Sequence, residues 1–288
     1  MKLAIQRCCT TPIFLKQYET STNAVLGRLG VQLTDKALNC CGYPLKNYNY
    51  KAHVLASARN LSIAEKGKVN IMTFCNCCYG TLKEVDQRLR SDQTLCAEIN
   101  RKLEKEALKY EGNVEVQHIM EVFYHELGPE RIRENIIKKF KGLKVAIHYG
   151  CHILRPRELV QFADPGTPSV FDELVAMTGA DLVTWQLQSE CCGSPMWGID
   201  DDLSAALTMK KIENAKASGA DYFCLACSYC QVQLDRVQKR LLDEGRITDP
   251  MPSILFTQLL GLSMGIDPAV LGIGENQIDI SPILECID

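Results

Sequence analysis

The chain has 288 residues, 46% of them hydrophobic and 23% charged, with a formal net charge of −3. That size and apolar content suit one large or two medium domains with real cores, and the charge balance excludes the basic excess of a nucleic-acid binder. No apolar run of about eighteen residues and no export signal is visible, so the expectation is a cytoplasmic protein with no membrane span.

Taken in chain order, eight short apolar segments read as strands from their β-branched content and flanking turn signals. They are Leu3–Cys8, Val31–Thr34, Val69–Phe74 and Val114–Gln117, then Lys144–His148, Asp181–Trp185, Asp221–Leu225 and Ser253–Phe256. Helical patterns lie between them: Ser21–Leu29 before Gly30, Lys51–Lys66 before Gly67, Ser169–Thr178 before Gly179, and Leu203–Ala217 ending near Gly219. A glycine just past the last turn is a common helix stop. The charged stretch Ser91–Glu111 predicts an exposed inserted helix. The order β-α-β-α-β-α-β appears twice. It predicts an α/β fold of two tandem pseudo-symmetric repeats, 1–142 and 143–288, each a small, mainly parallel sheet flanked by helices.

Fifteen cysteines are the outlier. Their number is odd and no export signal accompanies them, so a disulfide framework is a poor reading and metal binding a better one. Cys9 is followed, after thirty intervening residues, by Cys40-Cys41-Gly42, and thirty-three residues later by Cys75 and Cys78. Cys151 is followed, after thirty-nine, by Cys191-Cys192-Gly193, and thirty-four residues later by Cys227 and Cys230. Both halves therefore read Cys, Cys-Cys-Gly, Cys-x-x-Cys, at the same places in the strand order. In parallel sheets, functional groups gather at the carboxyl ends of strands. Thiolates are the preferred ligands of iron–sulfur clusters and of zinc. Each half offers five, one more than a tetrahedral zinc or an ordinary cubane needs. Structural zinc remains the competing metal reading.

The words Phe74-Cys75-Asn76-Cys77-Cys78-Tyr79-Gly80, Tyr149-Gly150-Cys151-His152-Ile153-Leu154-Arg155-Pro156 and Glu190-Cys191-Cys192-Gly193 make the resemblance specific. The chain resembles, over essentially its whole length, the duplicated cysteine-rich CCG domain of the HdrB family of heterodisulfide reductase subunits. The resemblance implies two noncubane [4Fe-4S] clusters. One would be held by Cys9, Cys40, Cys41, Cys75 and Cys78, the other by Cys151, Cys191, Cys192, Cys227 and Cys230. A small-molecule disulfide would be split, or formed, between them. It also implies a ferredoxin-like iron–sulfur partner (HdrC type) and a flavin-containing partner (HdrA type) upstream. The chain itself shows no G-x-G-x-x-G fingerprint, so no flavin or nicotinamide is expected on it. An electron-transfer or adaptor subunit without its own disulfide substrate is the alternative.

Some positions depart from the family pattern. Cys8-Cys9 stands where Gly-Cys is usual, so either thiol is a candidate ligand, with Cys9 preferred by the turn that follows. Cys77 stands where glycine is usual. Cys77 and Cys224 join Cys8 as possible extra ligands. Cys96 and Cys286 read as ordinary thiols. His152, next to Cys151, is the candidate proton donor, with a hydrogen bond to a cluster sulfur or simple packing as the other readings. Arg155 offers a charge for an anionic substrate or for a local ion pair. His53, His118, His125 and His148 read as structural.

Overall fold

In the computed structural model, which describes residues 1–163 and 169–288, β1 (Lys2–Gln6), β2 (Gln32–Thr34), β3 (Asn70–Thr73) and β4 (Val116–His118) form one sheet. A second is formed by β5 (Lys144–His148), β6 (Asp181–Leu182), β7 (Tyr222–Leu225) and β8 (Ser253–Leu255). The orders are β2-β1-β3-β4 and β6-β5-β7-β8, and every pairing is parallel. The same order in both sheets is the structural image of the sequence repeat. All eight expected strands are present, several of them shorter. The sixth keeps only its first two residues, because β6 is an edge strand with both residues exposed and a single neighbour, β5.

The central strands are dry. Ala4, Ile71 and Met72 in the first sheet, and Val145, Phe223 and Cys224 in the second, are completely buried. Each fully buried Ile or Phe of this kind contributes about 1.5–3 kcal/mol. Helices Tyr50–Lys66 and Asp201–Ala217 open on Asn49 and Asp200, whose side chains accept from the amides of Ala52 and Leu203. Such caps satisfy amides that the first turn leaves free. The expected insertion is a helix over Gln93–Leu103, capped by Asp92 and anchored by buried Ile99 and Leu103.

The first helix begins earlier than its sequence suggests, spanning Lys16–Arg28. Ser21 and Thr22, residue types that suit a helix cap and open the expected helix, are fully buried mid-helix. Ser21 Oγ meets Thr257 Oγ1 of the other half at 2.7 Å. That contact explains the correction: helix Phe256–Ser263, which follows β8, packs on Lys16–Arg28 of the first half. In the equivalent place after β4, the π-turn Val122–Leu127 packs on helix Val170–Ala176 of the second half. Phe256 joins the exchange, its ring 5.5 Å from Phe123 and 5.7 Å from Phe171. Each half thus lends the helical segment that follows its fourth strand to the other. The carboxyl ends of the two sheets face one another across the seam. Among the described residues, no helix is long and apolar enough to cross a membrane.

Candidate metal centre

The cysteine loops converge at that seam. Cys75 and Cys227 are the extended residues that cap helices starting at Asn76 and Ser228. Cys78 and Cys230 follow one turn later, so each Cys-x-x-Cys presents two sulfurs at a helix N-terminus. The free amides and dipole there favour thiolate. The Cys-Cys-Gly loops leave β2 and β6 and bend sharply at Gly42 (φ 90°) and Gly193 (φ 96°). A Cβ on Gly42 would lie 2.8 Å from the carbonyl oxygen of His53, and one on Gly193 would lie 2.5 Å from that of Ser204. No side chain fits there. The same helices hold the loops from behind: Ser57 Oγ donates to the Cys41 carbonyl at 2.5 Å, and Thr208 Oγ1 to the Cys192 carbonyl at 3.1 Å.

The thiols form two connected sets. In the first, Cys9 meets Cys40, Cys40 meets Cys41, Cys41 meets Cys78, and Cys78 meets both Cys75 and Cys8. In the second, Cys151 meets Cys191, then Cys192, then Cys230, then Cys227. Cys75 meets Cys227 across the seam, where the Asn76 amide also donates to Cys227 Sγ at 3.4 Å, and this joins the sets. The structure therefore brings together all ten cysteines expected as ligands. Of the two adjacent candidates, Cys8 is buried, its sulfur within 4.8 Å of those of Cys75 and Cys78. Cys9 is exposed, with Tyr229 Oη 4.0 Å from its sulfur. Cys224 stands apart in mid-strand, where burial alone raises its thiol. Cys77 is buried beside His152, their sulfur and Nδ1 3.6 Å apart. Cys96 lies on the inserted helix and accepts from Asn100. Cys286 is half-buried in the C-terminal 3₁₀ segment.

Crowded thiols share protons unevenly. Hydrogen bonds from Cys151 and Cys192 pull Cys191 down to about 2. Hydrogen bonds from Cys40 and Cys78 hold Cys41 well below the usual thiol range. Against the burial that would raise it, Cys230, Cys75 and the amides of Cys230 and Asn76 do the same for Cys227. Burial and the bond with Cys227 hold Cys75 well above that range. Thiolates gathered this far from water need a compensating positive charge. A thiophilic metal group would supply it, and the donor set fits one. Buried polar atoms near these loops have no hydrogen-bond partner among the described residues: Gln6 Oε1, Asn76 Oδ1 and His148 Nε2.

The mouth of the seam is aromatic. His152 Nδ1 lies 3.4 Å from Cys151 Sγ. Its ring stands edge-on to Tyr43 at 5.3 Å, and Tyr43 stands edge-on to Tyr229 at 6.1 Å. Burial lowers the His152 pKa, while the nearby thiolates of Cys227 and Cys191 oppose that shift. Two clefts open on either side. One, about 420 Å³, is bordered by Cys151, His152, Tyr43, Arg155 and the Lys46–Glu84 ion pair. The other, about 370 Å³, is bordered by Thr10, Phe14, Trp197 and Tyr229, with the guanidiniums of Arg236 and Arg240 stacked on Phe14 and Trp197. Arg155 itself donates to the Ser189 carbonyl at 2.8 Å and lies 3.8 Å from Glu190.

Residues 3–83 and 145–235 match the CCG cysteine-rich domain family. The HdrB protein of the ferredoxin/F(420)H(2)-dependent CoB-CoM heterodisulfide reductase of Methanosarcina acetivorans is 33% identical over 96% of this chain and 94% of its own. The chain belongs to the HdrB family of heterodisulfide reductase subunits. An HdrB-like heterodisulfide reductase protein of Archaeoglobus profundus is 32% identical over 87% of this chain and 86% of its own. Another relative is the 8-methylmenaquinol:fumarate reductase membrane anchor subunit of Wolinella succinogenes, 29% identical over 91% of this chain and 92% of its own. In fold, the chain is similar to the crystal structure of a hypothetical protein from Helicobacter pylori. The TM-score is 0.74 and the identity 14%, over 97% of this chain and 52% of that one.

Sequence reasoning missed two residues of this HdrB family member. His148, read as core, is buried, but its Nε2 lies within 4.8 Å of the sulfurs of Cys192 and Cys230. Lys211, from the middle of helix Asp201–Ala217, is only 1% exposed and lies 3.5 Å from His148 Nδ1. The available signal for His148 was its position as the last residue of β5, at the sheet end where the cysteine loops meet. Lys211 had none, since an alternating helix carries lysines on its wet face as a rule.

Proposed function

We propose that the chain is the iron–sulfur subunit of a heterodisulfide reductase-like complex, with one noncubane [4Fe-4S] cluster in each half. Cys9, Cys40, Cys41, Cys75 and Cys78 hold the first; Cys151, Cys191, Cys192, Cys227 and Cys230 hold the second. The observation that carries this reading is the contact of the two thiol sets at Cys75 and Cys227, beneath a single mouth. Two separate structural metal sites have no need to share one opening. When bound, the clusters supply electrons one at a time.

Reducing a disulfide to two thiols breaks one S–S bond and takes two electrons and two protons. The chain's residues serve that balance at the mouth. His152, half-buried and 3.4 Å from Cys151 Sγ, holds a proton where a sulfur anion would form. Tyr43 and Tyr229 wall the opening and exclude water. The clefts differ in character, one with a lysine–glutamate pair and the other with two arginines over aromatic rings. They suit the unlike halves of an unsymmetrical disulfide. Electrons come from partners, one ferredoxin-like and one flavin-containing.

A second reading, electron relay within another complex, is favoured by the relative named as a subunit of a fumarate reductase. The test is iron, zinc and acid-labile sulfide on anaerobically purified protein, followed by oxidation of a reduced viologen dye with a panel of disulfides. About eight irons and eight sulfides per chain with disulfide-dependent turnover support the first reading. The same metal content with no turnover on any disulfide leaves relay. One zinc per half without sulfide overturns both.

A further inference from the structure

Lys211 sits where lysine is seldom found. It lies in the middle of helix Asp201–Ala217 and is only 1% exposed, while Lys210 beside it is exposed. Lysine is almost never fully buried without a charged partner. Among the described residues, its ammonium forms no ion pair with a carboxylate. It donates to the Leu187 carbonyl, lies 3.5 Å from His148 Nδ1 and stands 4.9 Å over the Trp185 ring. None of these groups is negative. Burial lowers its pKa to about 8, and the groups that resist this are, in order, the thiolates of Cys192, Cys230 and Cys191 and the carboxylate of Glu190. Glu190 is exposed and lies 3.8 Å from Arg155. The buried negative charge that acts on Lys211 is therefore that of the second cysteine set.

The first half builds the same arrangement without a charge. β1 and β5 end at Gln6 and His148. Ser57 and Thr208 hold the carbonyls of Cys41 and Cys192, and the residue three further along each helix is Asn60 or Lys211. Gln6 Nε2 and Asn60 Nδ2 both donate to the Asn39 carbonyl, at 2.7 Å and 2.9 Å. His148 and Lys211 meet the neighbouring carbonyls of Gln188 and Leu187. Each pair ties the loop that leads into a Cys-Cys-Gly to the strand end and the helix behind it. An amide suffices for that task in the first half, so holding the loop does not require an ammonium in the second.

We propose that Lys211 is the fixed counter-charge of the second iron–sulfur group and holds its reduction potential above that of the first. The proposal rests on the iron–sulfur reading above, with five cysteine ligands in each half. A group held by five thiolates is anionic, and reduction adds one more negative charge. The imidazole of His148 separates the ammonium from the ligand sulfurs: its Nδ1 faces Lys211, and its Nε2 lies within 4.8 Å of the sulfurs of Cys192 and Cys230. A cation sealed from water acts on such a charge more strongly than one at the surface. It stabilises the reduced form more than the oxidised one. Asn60 brings no charge to the first group. The repeat thus makes two groups of unequal potential from equal ligand sets, and electrons do not distribute evenly between the halves.

The test is an EPR-monitored redox titration of the holoprotein in wild type, Lys211→Gln, Lys211→Arg and Lys210→Gln. Cys151→Ala, which removes a ligand of the second group, identifies the signal of that group by its loss. Gln keeps an N–H donor for the Leu187 carbonyl and removes the charge, whereas Arg keeps the charge. Lys211→Gln is expected to lower the reduced-to-oxidised ratio of the second group by about tenfold at a given potential, a shift of roughly 59 mV for one electron, with the first group unmoved. Lys211→Arg and Lys210→Gln are expected to match wild type in both groups. An equal shift in the first group, the same shift in Lys211→Arg, or no shift in Lys211→Gln with its iron retained overturns the proposal. Should Lys211→Gln not assemble, wild type decides: the second group is expected to titrate at the higher potential, and the reverse order or coincident potentials overturn the proposal. Metal analysis separates the two levels. Iron and sulfide in wild type without these differences overturn this inference alone, and their absence removes the iron–sulfur reading beneath it.

Discussion

The backbone amide of Asn76, in the first half of the chain, donates to Cys227 Sγ in the second at 3.4 Å. The Asn76 side chain reaches the same way, its Nδ2 donating to the Tyr149 carbonyl at 2.7 Å. A helix N-terminus of one repeat thus supplies a donor to a thiolate of the other, and the pairing ties the two sheets together at the point where their chemistry meets. Removing the side chain leaves a buried carbonyl unpaired, which costs about 1–3 kcal/mol. Asn76→Ala is expected to lower stability by that amount in chemical denaturation. Gln161→Ala, at an exposed position where the side chain makes a long bond to the Glu158 carbonyl of its own turn, is expected to stay within about 0.5 kcal/mol.

Three glycines with similar dihedral angles separate conformational freedom from close approach. Gly42, Gly193 and Gly198 have φ of 90°, 96° and 84°. Alanine is strained at each by about 1 kcal/mol. Of the three, Gly42 and Gly193 also press on a carbonyl, at 2.8 Å and 2.5 Å; at Gly198 nothing among the described residues lies within 4 Å. Gly198→Ala is expected to cost about 1 kcal/mol and to keep all bound metal. Gly42→Ala and Gly193→Ala displace the neighbouring cysteine pair, and each is expected to lose roughly half of the bound iron on metal analysis. Equal losses from all three variants would show that strain alone sets the effect.

The fold was legible because parallel strands buried on both faces read as apolar runs, and because the repeat made each half a check on the other. The cysteine cradles were legible for the same reason: Cys-Cys-Gly and Cys-x-x-Cys recur at fixed places. What stayed hidden depended on contacts between halves. Ser21 and Thr22 look like caps in sequence, yet Ser21 faces Thr257 across the seam. The adjacent pair Cys8 and Cys9 point differently, one buried towards Cys75 and Cys78, the other exposed towards Tyr229. No local pattern distinguishes those directions. His148 looked structural because a buried histidine at a strand end usually is; its meaning comes from Cys192 and Cys230, distant in sequence.

His118 gives a pH dependence. It caps the turn after β4, its Nδ1 accepting from the Met120 amide at 3.3 Å, and burial lowers its pKa from 6.5 to about 4. Between pH 6.5 and 4 the unfolded chain therefore binds a proton that the folded chain refuses. Stability falls as pH drops through that window, by a total of roughly 3 kcal/mol for this group. His118→Asn keeps an acceptor for the capping amide and removes the titration. Denaturation of the metal-free chain at pH 7 and pH 4.5 is expected to show a smaller loss for His118→Asn than for the wild type. Parallel losses would show that His118 is protonated alike in both states.

The repeat also predicts which thiols act as equivalents. Cys9 and Cys151 each stand third after their strand, and each meets the first cysteine of its own Cys-Cys-Gly loop. Cys9 is exposed and Cys151 half-buried, so alanine at either place leaves no large cavity. Their loss acts on metal binding before it acts on folding. Cys9→Ala and Cys151→Ala are each expected to retain roughly half of the wild-type iron and sulfide, and the double variant almost none. Cys96→Ala, on the inserted helix far from the seam in the chain's topology, is expected to keep all of it. Metal and sulfide analysis of the four proteins, with circular dichroism to confirm the fold, checks the pattern. If Cys9→Ala keeps full iron while Cys8→Ala loses half, the first half takes the buried thiol as its ligand, and the repeat is broken at the position where Cys8 replaces Gly150.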